Sequence, residues 1–330
     1  MYRRIRAKMS DSTGMIGSMQ LSEEQRDRAV GALVGSALGD AVGAGYEFTH
    51  PPQDVVVDMI GGGPFDWAPG EWTDDTSMAT CVAAGLSPGH VDLDAVAAAF
   101  VAWYDTRPAD IGNQTRSVLT HRDVTAAAMT ARASGVPGLT GGNGSLMRTG
   151  PVGVAFVRHD DAQCAAAAGA ISDLTHADPR AREACELWSA AIARGIRTGD
   201  RSSLREYVAE RDAGVREFWE PLLDQAETGG PADFSNNGWV VHALQTAWWA
   251  ICTAGGDVVG TVENCVRAGG DTDTTAAIAG ALAGACAGTA GLPERWTSML
   301  QGYPGWTATD LRATALRLVG EDPVDTLGHS

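Results

Sequence analysis

The chain of 330 residues carries 24 Lys and Arg against 41 Asp and Glu, a formal net charge of −17. That balance argues against a general binder of nucleic acid or membrane surfaces, which needs a basic face, but leaves anionic substrates open, because a bound cation inverts the local sign. With 44% hydrophobic but only 6% aromatic residues, the expected core is one of helices packed closely over small side chains.

Residues 1–20 hold Arg3, Arg4, Arg6 and Lys8 with no apolar run behind them, so they read as a disordered tail rather than a secretory signal. Residues 21–330 read as a single domain. Leu21 to Ala44 predicts the first helix, with Ser22 and Gln25 as a capping box and Glu23 and Glu24 at the positive end of the dipole. Gly31, Gly35 and Gly39 recur every fourth residue and give that helix a bare face against another backbone. Asp40 interrupts its apolar run, which argues against a membrane span.

A loop through His50-Pro51-Pro52 and Gly61 to Pro64 leads to a second helix, from Thr73 to about Leu86, with an acidic first turn. Asp92 to Trp103 is the third. Arg107 to Thr115 is a polar loop entering Arg116 to Leu119, and Gly138 to Gly142 is a Gly-rich loop before Asn143 to Arg148. Helices are expected at Pro151–Val157, Ala162–Leu174 and Arg180–Arg194, the last with Pro179 at its entrance. Thr198 to Phe234 is the most charged and least patterned stretch, read as one or two surface helices and a loop, and as the place for family-specific variation or a substrate-facing lid. Helices at Asn237–Thr253, Asp257–Ala268, Thr274–Gly288, Pro293–Met299 and Thr309–Leu318 complete the chain. Sustained alternation is absent, and no 20–50-residue period is visible, so the fold class is all-α and compact, without a solenoid. The six cysteines include no CxxC pair and read as buried, reduced thiols of a cytoplasmic protein.

Chemistry concentrates in two stretches. Gly269-Gly270-Asp271-Thr272-Asp273-Thr274-Thr275 precedes a small-residue apolar helix, and Trp72-Thr73-Asp74-Asp75-Thr76 repeats the pattern nearly 200 residues earlier. Ionised carboxylates are costly to bury unless positive charge meets them. One such cluster reads as a helix cap; two suggest one shared site. Asp271 and Asp273 share a side if the turn is extended, whereas the adjacent Asp74 and Asp75 diverge on a helix. Four carboxylates with the hydroxyls of Thr73 and Thr274 offer about six oxygens, which suits Mg²⁺ or Mn²⁺. No His and Cys cluster offers a zinc alternative.

These stretches resemble the ADP-ribosylglycohydrolases, together with Gly31-Ala-Leu-Val-Gly-Ser-Ala-Leu-Gly-Asp40, Gly142-Asn-Gly-Ser-Leu-Met-Arg148 and Leu174-Thr-His176. Several motifs in order are specific where any one is weak. The resemblance implies an orthogonal bundle of helices and a site of two divalent cations, Mg²⁺ or Mn²⁺, held by Thr73, Asp74, Asp75, Asp271, Asp273 and Thr274. It implies that the cations grip the ribose while a carboxylate outside both clusters moves the proton. Asp110, in Asp110-Ile-Gly-Asn113, matches the arginine-directed members, and Glu47, in Tyr46-Glu47-Phe48, matches the serine-directed ones. Substrate contacts are implied for Asn113, Asn143, Gly144, Ser145 and His176, with backbone N–H groups of the Gly142 to Arg148 segment close to a diphosphate. Arg148 reads as structural. Trp239 stands where the family usually has Tyr, which keeps stacking but drops a hydroxyl.

The expected activity is metal-dependent removal of mono-ADP-ribose from a modified protein, arginine first. The alternatives are serine-linked, nucleic-acid-linked or small-molecule ADP-ribose, or a non-catalytic ADP-ribose binder or immunity protein. The expected partner is an ADP-ribosylated protein, with no membrane, no nucleic acid except as a modified substrate, and a monomeric chain.

Overall fold

A computed structural model describes residues 20–138 and 140–321. The segment read as a tail lies outside them apart from Gln20, as do residue 139 and residues 322–330. The all-α class holds: fifteen α-helices dominate the described residues. The named strands among them form two short antiparallel hairpins, Leu86–Ser87 with His90–Val91 and Gln301–Gly302 with Trp306–Thr307.

Helix α1 (Glu23–Gly43) opens on the expected capping box, Ser22 and Gln25 exchanging hydrogen bonds at 3.2 and 3.0 Å. Thr73 caps α2 (Asp74–Ala84) and Asp92 caps α3 (Leu93–Asp105). They are followed by α4 (Asn113–Leu119) and α5 (Ala126–Ser134). The sequence reading contains no α5, because its Ala-rich run buries only Met129 and Ala133 and so shows little period. Next come α6 (Gly150–Ala155), α7 (Asp161–Asp173) and α8 (Pro179–Thr198), the last capped by Asp178 with Pro179 in its first turn. The charged stretch forms α9 (Ser203–Ala209), α10 (Ala213–Thr228) and a 3₁₀ turn at Pro231–Phe234. The chain closes with α11 (Val240–Thr253), α12 (Val258–Ala268), α13 (Thr272–Ala287), α14 (Glu294–Thr297) and α15 (Ala308–Leu318).

The centre of the molecule is the antiparallel pair α1 and α13, the most extensive contact between any two elements. Both are buried on every face, α1 from Ala29 to Gly43 and α13 from Thr272 to Ala285. Helix α1 is long and apolar enough to cross a bilayer, yet 94% of its apolar window lies inside the protein. The bare glycine face meets backbone as expected. A Cβ on Gly35 would stand 2.6 Å from the carbonyl oxygen of Gly280, and one on Gly43 would stand 2.5 Å from Cα of Asp273. This approach sets Asp40, one turn before the end of α1, beside the first turn of α13, where Asp273 begins. The remaining helices wrap this pair, with α12, α11 and α8 against α13 and α15, α8 and α6 against α1.

Candidate active site

A cavity of about 680 Å³ opens where the N-terminal ends of α2, α4 and α13 meet the loops around residues 47, 110, 141 and 238. Glu47, Asp74, Asp110, Asp271, Asp273 and Thr274 line its acidic end. That volume is in the range of small-molecule sites.

Two groups of carboxylates converge there. Oxygens of Asp40, Asp75 and Asp273 lie within 4.8 Å of one another, as do oxygens of Glu47, Asp271 and Asp273, so Asp273 belongs to both groups. Asp40 is held by the N-terminus of α2: its Oδ1 accepts from Thr73 N at 2.9 Å, and its Oδ2 from Thr76 N at 2.9 Å and Thr76 Oγ1 at 2.6 Å. The hydroxyls of Thr73 and Thr274 both turn to Asp75 Oδ2, at 2.9 and 3.4 Å. Asp75 Oδ1, Asp273 Oδ1 and Glu47 Oε2 are buried and accept no hydrogen bond. No Lys or Arg among the described residues pairs with any of these acids.

Without a counter-charge the cluster resists ionisation. Burial pushes Asp40 up to about 6, against the bonds from Thr76 and Thr73. Burial, then repulsion from Asp271, Asp110 and Asp40, pushes Glu47 up to about 8. Asp74, Asp75 and Asp273 stand well above the usual carboxylate range, first through burial and then through their acidic neighbours. Orphaned buried oxygens and oxygen-only donors around a common centre are what hard divalent cations need, so the residues fit such ions.

The predicted ligands come together, and two expectations about the site are corrected. Asp271 and Asp273 do not sit in one extended turn: Asp271 is the N-cap of α13 and Asp273 lies in its first turn, because the helix starts two residues earlier than expected. Asp74 and Asp75 do diverge. Asp75 faces Asp40 and Asp273, while Asp74 lines the cavity with Asp110. The second correction concerns Asn143, Gly144 and Ser145, which form a 3₁₀ turn. Residues in such a turn point about 120° apart. Asn143 Nδ2 donates to Asp271 Oδ2 at 2.7 Å and to Asn237 O at 2.9 Å, so it holds an acid as well as lining the cavity. Gly144 faces the cavity, but the Ser145 side chain is fully buried, accepting from Cys185 Sγ at 3.5 Å.

Asn113, His176 and Trp239 line the cavity as predicted, His176 buried and Trp239 37% exposed. Trp239 is fixed by Val240 N donating to Gly141 O and Asn143 N donating to Gly238 O, at 2.9 and 3.1 Å. Phe48, 66% exposed with a φ of 59°, stands beside Glu47 at the rim. Its N–H donates to Gly270 O at 2.7 Å, which ties the Glu47 loop to the α13 entrance. Of the two alternatives for 198–234, the lid is not seen: no residue of that stretch lines the cavity. That stretch is held away by packing, with Trp219 and Phe234 fully buried and Arg205 paired to Asp224 and Glu227.

The sequence profile of the ADP-ribosylglycohydrolase family matches residues 21–326. The chain belongs to that family. It is 35% identical over 296 residues to the ADP-ribosylarginine hydrolase Tri1 of Pseudomonas putida (strain GB-1), covering 83% of this chain and 74% of the relative. It is 30% identical over 288 residues to the ADP-ribosyl-[dinitrogen reductase] glycohydrolase of Rhodospirillum rubrum, covering 83% and 90%. A solved structure described as an ADP-ribosylglycohydrolase-related protein complex superposes with a TM-score of 0.72 at 30% identity, covering 90% of this chain and 99% of that one.

Two site residues of this ADP-ribosylglycohydrolase lie outside the sequence prediction. In the sequence Asp40 interrupts an apolar helix and ends a family motif but is given no ligand role, although a carboxylate amid a run of buried residues needs a partner and is itself a signal. Asn237 carries no local signal. It is buried, accepts from Asp271 N at 3.1 Å and donates to Gly269 O at 2.8 Å, so it fixes the turn that presents Asp271.

Proposed function

We propose that this chain hydrolyses the N-glycosidic bond between ADP-ribose and an arginine side chain of a modified protein, with two divalent cations, Mg²⁺ or Mn²⁺. The observation that carries this reading is Asp273, shared by two oxygen-only carboxylate groups on the floor of the cavity. The relatives named ADP-ribosylarginine hydrolases support the linkage. When bound, the cations supply positive charge that offsets the acids and a grip on the ribose hydroxyls.

The chain's own residues position and move protons. Asp40, Asp75, Asp271, Asp273 and Glu47 hold the charge at the ribose end, and Asn143 and Asn237 keep Asp271 in register. Gly142, Gly144 and Trp239 receive the diphosphate and adenosine end, with Asn113 at the rim. Asp110, lining the cavity with Asp74, takes the proton of the water that attacks the anomeric carbon; the C–N bond breaks with its electron pair going to the arginine nitrogen, which regains a proton and leaves as free guanidinium. A second reading, hydrolysis of serine-linked ADP-ribose with Glu47 moving the proton, is favoured by Glu47's place in the second carboxylate group. A panel of arginine- and serine-linked substrates, run with Mg²⁺ and Mn²⁺, separates them. The first reading expects release from arginine and loss of it in Asp110→Asn. Retained activity in Asp110→Asn with none in Glu47→Gln favours the second.

The chain is further proposed to act as a cytoplasmic monomer. Its six unpaired cysteines support a reducing compartment. Light scattering and cell fractionation check this; a stable dimer or a membrane fraction would contradict it.

A further inference from the structure

Arg148 is fully buried and pairs with no carboxylate among the described residues. Its guanidinium lies 4.5 Å from the ring centre of Phe100, and its Nη2 donates to Thr175 Oγ1 at 2.6 Å and to Ile171 O at 3.3 Å. A buried cation without a counter-ion is costly, so its place calls for a reason. A guanidinium only donates, so Thr175 Oγ1 accepts from it and directs its own proton elsewhere. One acceptor among the described residues lies within reach, His176 Nδ1 at 2.7 Å. With the imidazole proton on Nδ1 instead, the Thr175 hydroxyl proton would be buried and unpaired, which is unfavourable. The hydrogen-bond network thus assigns the proton to Nε2. That edge faces the cavity over Gly142 and Gly144, where a Cβ would stand 3.5 and 3.4 Å from Nε2.

We infer that Arg148 and Thr175 are positioning residues that fix His176 as a neutral imidazole protonated on Nε2, a donor aimed at an oxygen of the bound ADP-ribose conjugate. Burial, and then the charge of Arg148, hold His176 well below the usual imidazole range, so the neutral form persists. The ligand half of this inference rests on the proposed function; the tautomer does not.

Long-range ¹H–¹⁵N correlation spectra of the full-length protein at pH 7, with His176 identified by its loss in His176→Asn, read the tautomer directly. The expected state is protonated Nε2 and bare Nδ1. Thr175→Val removes the hydroxyl at constant shape and is expected to mix the tautomers and weaken ADP-ribose binding about tenfold in calorimetry, whereas Thr175→Ser restores both. A native protein with the proton on Nδ1 overturns the inference, as does a Thr175→Val protein with tautomer and affinity unchanged. Native protein that binds no ADP-ribose contradicts the proposed function instead, and the ligand-free spectrum still decides the tautomer.

Discussion

Asp273 carries two opposed effects. In the metal-free protein it is a buried acid with an orphaned oxygen beside Asp75 and Asp271, and it belongs to both carboxylate groups that the proposed cations would occupy. Asp273→Asn is therefore expected to melt higher than the native protein in chelator, to gain no stability from Mg²⁺ or Mn²⁺, and to lose activity. Calorimetry with and without metal checks this; a variant that still gains native-like stabilisation contradicts the shared role. Glu47 gives a pH signature. Its carboxyl ionises near 4.5 when solvated and at about 8 in the folded, metal-free protein. Its contribution to stability is therefore complete below pH 4.5 and lost as pH rises through 8. Glu47→Gln stays neutral, so the melting temperature of the metal-free variant minus that of the native protein should widen between pH 5 and pH 8.5. A gap that stays constant would mean that Glu47 is solvated. Most site residues were legible in the sequence because Asp and Thr are dense where they are costly to bury. Asn237 was not, and Asp40 only as a charge out of place, since their partners, Thr73, Thr76 and Asp271, are more than 30 residues away and meet them only in the fold.

The two central helices deliver the site. Asp40 rides on α1, and Asp271 and Asp273 on the start of α13, so the backbone contact between these helices sets the spacing of the carboxylates. Gly35→Val places side-chain atoms where a Cβ alone would meet Gly280 O at 2.6 Å. It is expected to cost about 1–3 kcal/mol or more and to weaken divalent-cation binding, although Gly35 touches no ligand. Gly214→Ala, at a helical position with open space, is the control and should be neutral or stabilising by up to about 1 kcal/mol. Chemical denaturation and metal titration of both variants read the outcome; a Gly35→Val protein with native metal affinity contradicts the spacing argument. The glycine repeat was legible because only a close backbone explains three bare positions on one face. Helix α5 and the place of residues 198–234 were not, since a solvent-facing Ala run has no period and a charged amphipathic pair reads alike as a lid or as packed surface.

At the scale of the molecule, an acidic protein with a net charge of −17 gathers the buried carboxylates of its described residues, Asp40, Glu47, Asp74, Asp75 and Asp273, at one end of one cavity. Divalent cations that bind the folded state alone stabilise it by about 2.7 kcal/mol at a hundredfold excess over Kd. That gain should grow from pH 6 to pH 8, because protons compete for Asp40 and Glu47 in this range. Melting curves in Mg²⁺ and in Mn²⁺ across that range check it, and a gain that shrinks with pH contradicts carboxylate ligation. The most direct measurement is release of ADP-ribose from an arginine-ADP-ribosylated protein by the metal-stripped chain before and after reloading with Mg²⁺ or Mn²⁺. No release is expected in chelator, release is expected on reloading, and none is expected from Asp273→Asn under either condition. Native protein that binds ADP-ribose tightly but releases none with either metal would show a binder and not a hydrolase.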